Sequence, residues 1–150
     1  ITPFHEDGSV NYEAFVNLAK KYADEGAGIL VAATTGEGAV MTEDEKLKLF
    51  KMTADALKDK TLVMGNVGTN NTAQSIALAK KAEETGVDAI LCIVPYYNKP
   101  NQEGCYAHFA AIAKATKLPI FIYNVPGRTG GKIEPPTVCK LAHDFPNILA

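Results

Sequence analysis

Short apolar runs recur along this chain at nearly constant spacing, and no other feature limits its fold so strongly. They are Gly28-Ile29-Leu30-Val31-Ala32, Thr61-Leu62-Val63-Met64, Ala89-Ile90-Leu91-Cys92-Ile93-Val94 and Pro119-Ile120-Phe121-Ile122-Tyr123. A spacing of roughly 30 residues is the length of a βαβ unit. Each run is continuous rather than alternating, the pattern of a parallel strand buried on both faces. Ile1-Thr2-Pro3-Phe4 and Asn147-Ile148-Leu149-Ala150 read as parts of two further strands, one at each end.

Helical patterns fill the intervals. Phe15, Leu18, Ala19 and Tyr22 share one face, and Gly26 follows as a stop. Thr42 and Glu45 have the spacing of a capping box, ahead of a helix expected to turn Leu47, Phe50, Ala54 and Leu57 inward. A third helix starts at Asn71 or Thr72 and ends at Gly86. A fourth runs from Glu103 to Thr116, with Tyr106, Phe109 and Ala113 on one stripe. Pro135 or Pro136 suits the first turn of a fifth, which ends near His143.

Strands alternating with helices imply a parallel sheet. A doubly wound sheet usually carries Gly-x-Gly-x-x-Gly or a P-loop after its first strand, and neither motif occurs here. A (β/α)8 barrel accounts better for the even repeat, and it gathers chemistry at the C-terminal ends of several strands. The expected fold class is therefore α/β, a parallel (β/α)8 TIM barrel. Such a barrel takes about 250 residues. Residues 1–150 are expected to form the N-terminal portion of one barrel domain, about five βα units and the start of the sixth strand.

Composition removes several classes of function. The net charge is −2 with both signs interspersed, so no basic tract offers a surface to nucleic acid. No apolar run is long enough to span a bilayer. Cys92, Cys105 and Cys139 lie outside metal-ligand spacing with each other or with a histidine, so no metal is expected. Scattered thiols suit a reducing cytoplasm. Cys92 reads as core, and His108 and His143 fall on helices, with packing or surface roles expected.

Polar residues gather where the strands end. Thr34-Thr35-Gly36-Glu37-Gly38 follows one strand, and Asn66 with Gly68-Thr69-Asn70-Asn71 the next. Then come Pro95-Tyr96-Tyr97-Asn98-Lys99-Pro100 and Tyr123-Asn124-Val125-Pro126-Gly127-Arg128-Thr129-Gly130. The threonine turn can offer hydroxyls and backbone N–H groups to a small anion, although a plain βα turn would look the same. Adjacent tyrosines also serve in packing or at interfaces, and a phenol at a strand end often makes only a structural hydrogen bond. Arg128 follows a Pro-Gly turn; a fixed guanidinium there suits a bidentate grip on a carboxylate. Together these loops favour a site over separate structural roles.

With Thr2-Pro3-Phe4 and Gly65-Asn66-Val67-Gly68, these blocks resemble the dihydrodipicolinate synthase group of the class I pyruvate aldolase family. That family also holds N-acetylneuraminate lyase and keto-deoxy sugar-acid aldolases. The resemblance covers essentially the whole chain, and Arg128 favours the synthase group. It implies a lyase: pyruvate forms a Schiff base with a lysine and condenses with L-aspartate-4-semialdehyde, on the diaminopimelate route to lysine. By the same resemblance, Thr34, Tyr97 and Tyr123 form a catalytic proton relay, with Tyr97 entering from a neighbouring subunit of a tight dimer. Thr34 and Thr35 bind pyruvate, and Arg128 binds the semialdehyde carboxylate. A cytoplasmic homotetramer without a separate cofactor is implied. The imine lysine is expected just beyond Ala150.

Departures from the family pattern bear on these roles. Ala33 stands where glycine is usual, and Glu25-Gly26-Ala27-Gly28 is one residue short. An effector site for lysine would include Ala39, Asn70, Gln74 and Tyr96. Gln74 stands in place of a glutamate, and Glu43 and Lys46 in place of histidines, so weak or absent feedback is expected. Other readings remain: another pyruvate-dependent aldolase of the family, a sugar-phosphate isomerase with Glu37 as base, or a non-catalytic half-barrel.

Overall fold

The computed structural model describes all 150 residues. The chain divides into two compact units, Ile1–Asn66 with Glu84–Asp88, and Val67–Glu83 with Ala89–Ala150.

In the first unit, the opening segment departs from expectation. Ile1–Phe4 forms no parallel strand; Phe4 makes a single antiparallel bridge to Val10. The cause is local. The Asp7 carboxylate accepts from the Ser9 N–H and hydroxyl at 2.9 and 2.7 Å, and Gly8 adopts φ +84°, so the chain folds back on itself. Helix α1 (Tyr12–Asp24) follows, capped by the Asn11 side chain, which accepts from the Ala14 N–H. Strand β1 (Ile29–Val31), helix α2 (Glu43–Leu57) and strand β2 (Val63–Asn66) make one βαβ turn. β1 and β2 pair in parallel, Ile29 with Val63 and Val31 with Gly65. Thr42 and Glu45 form the expected capping box. The inward face of α2 differs by a small rotation: Leu49, Phe50, Thr53, Ala54 and Leu57 are buried, while Leu47 lies at the margin in the first turns. Gly65 permits this packing, because a methyl there would press on the Phe50 ring at 2.9 Å.

The second unit holds α3 (Thr72–Glu83), β3 (Ala89–Ile93), α4 (Gln102–Ala113), β4 (Ile120–Tyr123), α5 (Pro126–Thr129) and α6 (Pro135–Asp144). β3 and β4 are parallel, from Ile90–Ile120 to Ile93–Tyr123. Residues 147–150 run alongside β4, with a parallel bridge from Ile148 to Ile120 and an Ile122 N–H donating to Ala150 at 2.6 Å. That is the expected opening of a further strand. The Asn147 side chain fastens it by donating to the Ala113 and Thr116 carbonyls, both at 3.1 Å. The four-residue α5 was not expected; Pro126 at its first position supplies the φ that starts it.

The strands correct one further expectation. They are apolar on both faces, but only one face is covered. Val31, Val63, Ile90, Cys92 and Ile120 are buried. Leu30 is 45% exposed, and Met64, Leu91 and Phe121 are half-buried. Period-two geometry sends alternate side chains to opposite sides, and the helices cover one of them.

Candidate functional site

In the first unit, the turn after β1 carries Thr34 and Thr35, both exposed. Its shape is tightly specified. Glu37 and Gly38 donate backbone N–H groups to the Thr34 and Ala33 carbonyls, each at 3.1 Å. The Asn66 amide donates to Ala32 O at 2.8 Å, and the buried Thr2 hydroxyl to Gly36 O at 2.6 Å. Gly38 sits against the Ala32 carbonyl so closely that any side chain would collide with it. Ala32 and Glu37 hold φ of +56° and +55°. Ala39 lies exposed just beyond this turn. Asn66 Oδ1 is buried without a partner.

In the second unit, Tyr96, Tyr97, Lys99, Arg128, Thr129 and Gly130 line one cleft. Tyr97 is 89% exposed at φ +68°, and Lys99 holds φ +45°. Outside glycine, this region costs about 1–2 kcal/mol per residue. Such outliers persist where surrounding bonds over-determine them, and they gather at functional sites. Here they follow strand ends; Asp59, at φ +64° in the turn after α2, is the exception. Arg128 is exposed on α5. Tyr123, half-buried, closes β4, where its carbonyl accepts from the Val94 N–H at 3.0 Å.

Sequence reasoning missed the residues that hold these groups in place. The Asn98 side chain donates to Asn70 O at 3.0 Å, and its backbone N–H to Tyr96 O at 2.8 Å. It thus joins two positions of the expected effector set. Gln74, a third, is exposed on the first turn of α3, where its N–H donates to the Asn71 side chain. The Asn124 amide reaches Ile133 O at 3.0 Å and pins the loop after β4. The available signal was an asparagine in each loop, a side chain suited to bonding backbone groups. The two units carry the expected residues separately: Thr34, Thr35 and Ala39 in the first, and Tyr97, Tyr123, Arg128, Asn70, Gln74 and Tyr96 in the second.

The model of the dihydrodipicolinate synthetase family matches residues 1–150. The chain belongs to that family. A family member from Desulforamulus reducens, named 4-hydroxy-tetrahydrodipicolinate synthase, is 46% identical over 100% of this chain and 51% of its own length. Among solved structures, dihydrodipicolinate synthase from Aquifex aeolicus superposes with a TM-score of 0.96 at 41% identity, covering 99% of this chain and 51% of that one. The lysine-bound enzyme from Cyanidioschyzon merolae gives 0.96 at 43% identity, with the same 99% and 51% coverage. The chain spans about half the length of these family members. The family's solved structures are TIM barrels, and this α/β chain with parallel strands matches about half of one. No helix is long and apolar enough to cross a membrane.

Proposed function

We propose that these residues are the N-terminal half of a single barrel domain in a 4-hydroxy-tetrahydrodipicolinate synthase. The observation that carries this is the family match over the chain's whole length, in which Tyr97, strained and exposed, is free to reach a neighbouring subunit and Arg128 is exposed for its own. In this reading a lysine beyond Ala150 attacks the pyruvate carbonyl and releases water. The protonated imine is an electron sink, so the methyl carbon loses a proton and becomes a nucleophile. That carbon bonds to the aldehyde carbon of L-aspartate-4-semialdehyde, and the aldehyde oxygen takes up a proton. Attack by the substrate's amine then closes the ring and displaces the lysine.

Thr34, Tyr97 and Tyr123 pass the protons in this reading. A phenol stays neutral near pH 7, and a threonine hydroxyl both donates and accepts, so the three can form a relay. Thr34 and Thr35 face the pyruvate carboxylate, and Arg128 grips that of the semialdehyde. No cofactor is needed beyond the imine. The protein works in the cytoplasm as a homotetramer built from two tight dimers, with Tyr97 crossing to a neighbour. Ala39, Asn70, Gln74 and Tyr96 form a weakened lysine site; tight inhibition at micromolar lysine would refute that weakening.

Borohydride trapping tests the chemistry directly. The full-length protein incubated with pyruvate should gain one reduced pyruvyl adduct, mapping beyond Ala150. Residues 1–150 alone should gain none. A stoichiometric adduct on a lysine within these residues would refute the assignment.

A further inference from the structure

Thr129 is unlike its neighbours. Arg128 and Gly130 are exposed, whereas Thr129 is 2% exposed. Its hydroxyl lies 2.7 Å from Gly131 O and 3.2 Å from Val125 O, and it accepts from the Gly131 N–H at 3.4 Å. These bonds close the C-terminal end of α5, where Gly130 turns at φ +68° and its N–H donates to Pro126 O at 2.9 Å. The Thr129 carbonyl accepts the Tyr97 N–H at 3.2 Å. Tyr97 needs that partner. The Asn98 N–H reaches Tyr96 O at 2.8 Å, so Tyr97 is the central residue of a positive-φ γ-turn, a rare and strained form.

We infer that Thr129 is a positioning residue, tying the backbone turn of Tyr97 to the short helix that carries Arg128. Its hydroxyl fixes the end of α5, and its carbonyl thereby holds the Tyr97 turn. Without the hydroxyl, the Gly131 carbonyl loses its closest donor, the Thr129 carbonyl is free to shift, and the γ-turn can relax. The phenol and the guanidinium then move together. The consequence for turnover rests on the reaction proposed above; the tie itself does not.

The test compares Thr129→Val, which keeps the shape and loses the hydroxyl, with Thr129→Ser, which keeps the hydroxyl, in the full-length protein. Thr129→Val should lower kcat about 100-fold, the effect of a misplacement near 1 Å, and raise KM for the semialdehyde. Borohydride trapping of pyruvate should stay at the wild-type level. Thr129→Ser should remain within about threefold of wild type. Wild-type kinetics in Thr129→Val, or equal losses in both variants, would overturn the inference. Should Thr129→Val not fold, amide exchange in the unsubstituted protein decides. The Tyr97 N–H should be protected to the same degree as the Gly130 N–H, and exchange at the rate of a free loop would refute the tie. Because exchange needs no substrate, a protein that fails the pyruvate assay still reports on the tie, separating the two failures.

Discussion

At the scale of single residues, the chemistry proposed above rests on two exposed side chains, Tyr97 and Arg128. Tyr97 and Arg128 stand out in the sequence because phenols and a guanidinium sit beside Pro and Gly at a strand end. In the reaction proposed, Arg128→Ala should reduce kcat/KM for the semialdehyde about 10- to 150-fold, the worth of a charge-assisted bond of roughly 1.5–3 kcal/mol. Pyruvate adduct formation should persist. Arg128→Lys should fail substantially too, since an ammonium has no planar fork. Wild-type efficiency in both variants would remove Arg128 from substrate binding. The positive φ of Tyr97 and the burial of Thr129 depend on contacts between loops distant in sequence, which no local pattern encodes. Gly38 is a similar case. Its need for no side chain comes from the Ala32 carbonyl, not from a positive φ. Gly38→Ala should therefore destabilise the protein by about 1–3 kcal/mol. Gly127→Ala, with open space around it, should be within about 0.5 kcal/mol of neutral or slightly stabilising. Denaturant midpoints of the two variants would compare them, and equal midpoints would contradict the crowding at Gly38.

Among elements, the positions of the main helices and strands followed hydrophobic period, because a long periodic segment averages over single-residue exceptions such as Tyr22, 52% exposed on α1. The misses have local causes. Phe4 found its partner across a tight reversal, and α5 is too short to show a period. Between α3 and α4 the sequence gives no hint of a buried polar contact. His108, 5% exposed, meets the Thr72 hydroxyl at 2.9 Å through Nδ1, while Nε2 has no partner. Burial pushes its pKa down from 6.5 to about 4. The unfolded chain then binds more protons than the folded one between these values. Stability is full above about pH 6.5 and declines as pH falls toward 4, by at most about 1.4 kcal/mol per pH unit from this group. His108→Gln removes the titration. Urea unfolding at several pH values should show a shallower acid slope for the variant, and parallel slopes would show that His108 does not titrate in this way.

For the whole molecule, the repeat of strand and helix announced the barrel, while the assembly proposed for it is not encoded in any one motif. If Tyr97 serves a neighbouring subunit, Tyr97→Phe should be folded and nearly inactive. Co-assembled with a variant lacking the imine lysine, it should regain activity, because one class of mixed site has both groups intact. Activity no greater than the sum of the two parents would confine Tyr97 to its own subunit or to no catalytic role. The half-covered strands have a consequence in time. Leu30, Met64, Leu91 and Phe121 present apolar surface on the side that the helices leave open. A ribosome adding about 5–20 residues per second needs roughly 8–30 s to make a further stretch of equal length. Through that interval, a nascent protein of the proposed length would hold, in each unit, helix-backed strands with one adhesive open face. Its yield in a cell would then depend on translation speed and on chaperones that shield that surface until the remaining strands emerge.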